Sequence, residues 1–172
     1  MKFDPTIVKT TFDSPLGRIT LAATAKGLAG VWFIDQQHLP EYQDWPVQDG
    51  HPVLREAARQ LLQYLAGQRA GFDLPLDLQG GTVFQQAVWQ ALLQIPFGAT
   101  TSYGAIGTQI GNPKAVRAVG AAVGRNPVGI IVPCHRVMGA DGSLTGYAGG
   151  LDRKAALLKL ETKSTGNHRP RA

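Results

Sequence analysis

The chain has little from which to build a metal site or a covalent cross-link. Its 172 residues include one cysteine, Cys134. That excludes an intrachain disulfide and a cysteine-based zinc cluster. Four histidines, His38, His51, His135 and His168, are scattered without ligand spacing, so no structural metal is expected. No apolar run approaches membrane-spanning length, and the opening Met1-Lys2-Phe3-Asp4-Pro5 lacks the apolar core of a signal peptide. The expectation is a reduced, soluble, cytoplasmic protein with no membrane contact. Acidic residues are missing too, from one long stretch: none occurs between Asp77 and Asp141. Residues 1–80 hold seven Lys/Arg against nine Asp/Glu, a net −2, while residues 81–172 hold ten against three, a net +7. A basic half without interspersed acids suits a polyanion, most simply nucleic acid.

What is present, 44% of it hydrophobic, suffices for a real core in one ordinary domain or two small ones. Ile7–Phe12, Gly17–Ala23 and Leu28–Phe33 are β-rich runs parted by turn signals at Ser14-Pro15-Leu16-Gly17 and Lys26-Gly27, which predicts an antiparallel meander. Residues 35–52 read as loop. Apolar positions 54, 57, 58, 61, 62 and 65 predict a helix over 53–65, ended by Gly67. Residues 72–78 alternate like a short edge strand, and Gln79-Gly80-Gly81 marks a boundary. This first half carries no convincing chemistry and reads as scaffold.

The second half opens on a capping box, Thr82 with Gln85, before a helix whose face is Phe84, Val88, Ala91, Leu92 and Ile95, with Trp89 placed in the core. Ser102 caps a short helix from Tyr103 to about Ile110. Gly111-Asn112-Pro113 then turns the chain, with Asn112 as N-cap of a second helix ending at Gly124. Two short helices around a glycine turn form a helix-turn-helix pattern. Val116, Val119, Gly120 and Val123 make its core stripe, leaving Lys114, Arg117, Ala118, Ala121 and Arg125 outward. Cations beside alanines leave a smooth helix that can press into a nucleic-acid groove.

Cys134 follows the β-forming run Ile130-Ile131-Val132-Pro133, so it is expected where an extended segment breaks at proline. His135 and Arg136 beside it favour the thiolate, which is the nucleophile. The bland alternative is an inert buried cysteine. In an extended chain Cys134 and His135 point apart, so either the chain turns there or a water carries the proton. Asn126 either makes a local turn bond or braces the cysteine loop. Gly139–Gly142 reads as a turn, and Thr145–Gly150 as bare backbone suited to covering a planar ligand. A final amphipathic helix is expected over 151–160, with Glu161 at its end. There an anion opposes the helix dipole, unless a histidine holds it. Residues 163–172 are expected to be a flexible basic tail.

Pro133-Cys134-His135-Arg136-Val137, the Asn112–Gly120 helix, Asn126-Pro127 and Gly146-Tyr147-Ala148-Gly149-Gly150 together resemble the O6-alkylguanine-DNA alkyltransferases. The match is dense from Thr82 to Glu161 and looser over Ser14–Gly17 and Tyr64–Gly67. The resemblance implies a mixed α/β (α+β) fold in two domains. The first, 1–80, would be a small ribonuclease H-like antiparallel sheet with a helix. The second, 81–162, would be mostly helical and carry the helix-turn-helix.

The implied activity is irreversible, stoichiometric transfer of the alkyl group of O6-alkylguanine, or O4-alkylthymine, to Cys134, without cofactor or metal. The implied partner is double-stranded DNA, held through its minor groove by a monomer, with the damaged base flipped out. Arg117 matches the finger that fills the gap in the stack. Tyr103 matches the residue that crowds the 3′ phosphate and donates to a guanine ring nitrogen. Glu161 would orient His135, which through a water ionises Cys134, and Asn126 would hold the turn. Backbone at Val137 and Ala148 would read the base edge, Tyr147 and Gly149 would shape the pocket, and Lys154 would assist Tyr103. Ala148 stands where some relatives have serine, so any hydroxyl contact there is lost. Two other classes stay open: a non-enzymatic binder of alkylated DNA, indifferent to loss of the thiol, and a thiol hydrolase, which would turn over repeatedly.

Overall fold

The structure, a computed structural model, describes residues 1–167, with side chains described through Lys163. Strands β1 (Val8–Ser14), β2 (Gly17–Thr24) and β3 (Gly27–Phe33) form the antiparallel meander in that order. The β1–β2 turn closes with Ser14 opposite Gly17, whose φ of +124° is open to glycine at no cost. All seven residues of β3 are buried because both sheet faces are covered. Helix α1 (Pro52–Leu65) lays Leu54, Ala57 and Leu61 on one face, while Phe3, Tyr42 and Trp45 gather around Trp32 on the other. Each such fully buried leucine contributes roughly 1.5–3 kcal/mol. Residues 72–78 fall short of the expected strand. Pro75 has no N–H to offer, and pairing reduces to one bridge at Leu76, made by Leu28 N to Pro75 O and Asp77 N to Leu28 O.

In the second half, α2 (Val83–Leu92) starts at the Thr82–Gln85 capping box, and its Trp89 is core as expected, donating from Nε1 to Ala122 O at 2.9 Å. Ser102 caps α3 (Tyr103–Gln109). The next helix, α4 (Val116–Gly124), begins later than Asn112-Pro113 implies. Asn112 N donates to Gly107 O and Gly111 N to Thr108 O, with Gly111 at φ +78°. That is a Schellman ending, so Asn112 finishes the first helix and cannot cap the second. The later start rotates the buried stripe to Val119, Ala122 and Val123 and leaves Val116 exposed.

The run before the cysteine is not extended. Ile130 takes φ +70° in a buried turn, and Cys134–Arg136 form a single 3₁₀ turn. The short strands β4 (Thr101–Ser102) and β5 (Val137–Met138) then pair in parallel, binding the segment after the cysteine to the start of α3.

The last helix, α5, runs Leu151–Asn167, so Glu161 lies inside it and the dipole penalty expected of a terminal anion does not arise. The same helix takes up residues 163–167 of the expected tail; residues 168–172 lie outside the described residues. One core spans both halves, and β3 is laced to the second half by Val31 N to Pro127 O (2.9 Å) and Gly129 N to Val31 O (3.2 Å). No helix among the described residues is long and apolar enough to cross a membrane.

Candidate active site and nucleic-acid face

Lys154, Leu157 and Glu161 sit three and four residues apart on α5 and are all fully buried, so the inner stripe of this helix carries two charges. Burial of a charge without partners is costly; Glu161 is ion-paired and Lys154 is held by two backbone carbonyls. Glu161 Oε2 accepts from His135 Nε2 at 2.8 Å and from Arg136 Nη2 at 2.8 Å, and Oε1 accepts from Arg136 Nε at 2.8 Å. A further donor to Oε2 is the Tyr64 hydroxyl, carried by α1. Burial alone would raise the Glu161 carboxyl, but these donors outweigh it and hold it at about 2. Arg136 therefore serves Glu161 and the Ile95 carbonyl, not the thiol as its place in the sequence suggests. The first half, read as scaffold, supplies Tyr64 to this cluster.

The cation that lowers the thiol is Lys154 instead. Its Nζ donates to Val137 O at 2.6 Å and Thr145 O at 3.1 Å, fixing it beneath the cysteine loop. Burial pushes the Cys134 thiol up, and a hydrogen bond from Asn126 and the Lys154 charge only partly offset that. The resting sulfur, 8% exposed, is thus a protonated thiol and not a standing thiolate. Asn126 braces the loop in both directions, donating from Nδ2 to Val132 O (2.7 Å) and accepting at Oδ1 from Val128 N (3.0 Å).

Burial also holds the His135 imidazole down, against the pull of Glu161, so it rests neutral. With its Nε2 proton facing Glu161, Nδ1 carries the lone pair, and that atom is buried without a hydrogen-bond partner among the described residues. A neutral imidazole oriented by a carboxylate, with one nitrogen open, has the chemistry of a general base.

A cavity of about 330 Å³ opens between the helix-turn-helix and the glycine-rich segment, lined by Tyr103, Val116, Gly120, Tyr147, Ala148 and also Gln37 from the first half. Cys134 does not line it. Tyr147 bridges the two, since it borders the cavity and its hydroxyl is kept neutral by burial and by the neighbouring cysteine. Gly149 stands behind Tyr147 and not in the cavity wall, where an added Cβ would come within 2.7 Å of the Tyr147 ring. Tyr103 pairs its hydroxyl with Thr145 at 2.8 Å, and Lys154 reaches Tyr103 only through the Thr145 backbone. The Val137 and Ala148 carbonyls are already accepting, from Lys154 and from Gln37 N respectively.

Arg117, Ala118 and Ala121 are exposed along α4, Lys114 lies in the turn before it, and Arg125 at its end borders a separate cavity of about 790 Å³. The Lys114, Arg117 and Arg125 side chains make no hydrogen bond or ion pair among the described residues. No three His, Cys, Asp or Glu side chains gather into a metal-binding cluster among those residues. Sequence reasoning missed Tyr64, Thr145 and Gln37. Only Tyr64 left a signal: a tyrosine on the buried face of a helix calls for a polar partner.

Two family models match the chain: the ribonuclease-like domain of 6-O-methylguanine DNA methyltransferase over residues 7–78, and its DNA binding domain over 83–163. A methylated-DNA–protein-cysteine methyltransferase of Mycobacterium tuberculosis is 52% identical over 151 residues, covering 88% of this chain and 90% of its own. One from Methanosarcina acetivorans is 53% identical over 150 residues, covering 87% and 95%. A crystal structure of Mycobacterium tuberculosis OGT in complex with DNA superposes with a TM-score of 0.83 at 51% identity, covering 90% of this chain and 92% of that one.

Proposed function

The chain belongs to the 6-O-methylguanine DNA methyltransferase family, and on that premise we propose that it repairs DNA by moving the alkyl group of a damaged guanine onto Cys134. It is a methylated-DNA–protein-cysteine methyltransferase that acts once on DNA. Cys134 is its single cysteine and hence the acceptor. The observation that carries the mechanism is the buried Nδ1 of His135, oriented through Nε2 by Glu161 and free to take a proton.

The steps balance as follows. The Cys134 thiol gives its proton to His135 Nδ1 through a water. The thiolate attacks the carbon on O6 of guanine, the carbon–oxygen bond breaks, and a thioether forms. The departing guanine takes a proton at a ring nitrogen from Tyr103, and the phenolate left behind recovers a proton through solvent as His135 releases the one it took, so the thiol proton in effect replaces the alkyl group on the base. The imidazolium that forms is stabilised by Glu161, already ionised and already in contact. A thioether has no leaving group with which to return, which makes the chain a reagent consumed per lesion.

The DNA-facing part follows from the exposed cations. Arg117, Lys114, Ala118 and Ala121 form a smooth basic face suited to the minor groove, with Arg117 filling the space of a flipped base; Arg125 adds charge at the rim. Val137, Tyr147 and Ala148 surround the flipped guanine, Gly149 supports Tyr147, and Lys154 lowers the barrier to forming the thiolate. The division near residue 80 separates support from alkyl acceptor, and the protein works as a cytoplasmic monomer. Intact mass after mixing with O6-methylguanine duplex tests this: one methyl per chain, mapped to Cys134, is expected. No added mass, or repeated turnover with unmodified protein, would overturn it.

A further inference from the structure

We propose that Tyr64 is a positioning residue for alkyl transfer: its hydroxyl, sharing Glu161 Oε2 with His135 and Arg136, keeps the carboxylate from locking His135 in the protonated form. The inference rests on the reading of His135 as the base for Cys134. Oε2 has two lone pairs and receives three donors, from α1, from the 3₁₀ turn through His135, and from the same turn through Arg136. Its negative charge is thereby divided.

The Tyr64 side chain is fixed where it stands. It is fully buried, with Phe72 at 5.1 Å and Phe97 at 6.1 Å between ring centroids. A phenylalanine would fill that site without burying a hydroxyl, so packing alone does not call for tyrosine.

The groups around the pair divide in sign. Arg136 from the turn and Lys154 from α5 oppose charge on His135, and burial of the ring does the same. Glu161 favours it. Cys134 and Tyr147 stand close by as neutral acids. A carboxylate undiluted by Tyr64 would pull a proton onto His135 more strongly against the burial of the ring. Nδ1, the one nitrogen without a proton in the neutral ring, would then be filled before the thiol could give its own.

The test is the pH dependence of single-turnover transfer with free O6-benzylguanine, which leaves DNA binding out, across about pH 5 to 9, the range in which histidine titrates. In Tyr64→Phe the acid limb should move up by about one unit, the size expected when a hydrogen bond to a carboxylate is lost. The alkaline plateau should be kept. Replacing Tyr64 with 3-fluorotyrosine, a stronger donor of the same shape, should move the limb down, and this variant decides the matter if Tyr64→Phe fails to fold. A limb that stays in place, whether the rate falls evenly or not at all, overturns the role. Wild-type protein that gains no methyl from O6-methylguanine duplex would instead sink the alkyl-transfer reading itself, so the two failures are told apart.

Discussion

Around Glu161, side chains from α1, the 3₁₀ turn and α5 converge on one carboxylate; along the outer face of α4, Arg117, Ala118 and Ala121 meet no other side chain's charge among the described residues. Both regions hold arginine, and the difference lies in what neutralises it. The buried cluster is balanced internally, so its geometry is fixed before any substrate arrives. The exposed face is balanced only by something outside the chain, and a phosphate backbone supplies that charge. Substitutions in the first region should therefore act on the chemistry or the stability of the chain itself, while those in the second should act only through DNA, on its binding, its salt dependence and the flipping of the base.

The largest effect tests the first region at its reacting atom. Cys134→Ser should abolish alkyl transfer, read as no added mass, while duplex affinity in a gel-shift or anisotropy titration stays within about twofold, since the phosphate contacts that dominate affinity are untouched. Glu161→Ala comes next. It strands Arg136 in the core, and removing one partner of a buried pair costs about 3–5 kcal/mol. A melting scan should show a loss on the order of ten degrees for a chain of this size.

The same carboxylate sets an acid limit. Glu161 is held at about 2 against an ordinary 4.5, so its stabilisation is fully present above pH 4.5 and drains away as pH falls toward 2. Acid melts of Glu161→Gln should lack that component. In the second region, Arg117→Ala should slow reaction with methylated duplex by about tenfold or more, in line with the few kcal/mol that holding a base out of the stack costs. Reaction with free O6-benzylguanine should be unchanged, and equal losses on both would remove the finger role. The smallest effect is that of Lys114→Ala, which should lower the slope of log affinity against log salt by about 0.9.

Most of the fold was legible because its signals are local. The meander, α1, the Thr82–Gln85 box and the Ser102 cap all follow from residues within a few positions of one another. The start of α4 was not, because Asn112 suits two roles and the Schellman hydrogen bonds of the preceding helix claim it first. The run before Cys134 has strand composition, yet tertiary packing turns it at Ile130.

Cys134, His135 and Glu161 could be grouped from the sequence, and the structure does put His135 on Glu161, but the charge balance around them was not legible. Arg136 is adjacent to the site in the chain and spent on Glu161 in space, while Lys154 lies 20 positions from Cys134 and supplies the nearer field. A tyrosine on a buried helix face calls for a polar partner, but nothing in a single sequence says that the partner of Tyr64 lies 97 positions away at Glu161.

The lacing of β3 onto the segment before the cysteine has an evolutionary reading. Val31 exchanges backbone hydrogen bonds with Pro127 and Gly129, so the scaffold's last strand also sets where the reactive loop begins. A hybrid made by crossing over near residue 80 between two relatives would join halves selected with different partners. Such a gene inherits a working repair protein only when the donor of the strand and the donor of the loop agree at that seam, so the halves are expected to travel through lineages as a linked pair.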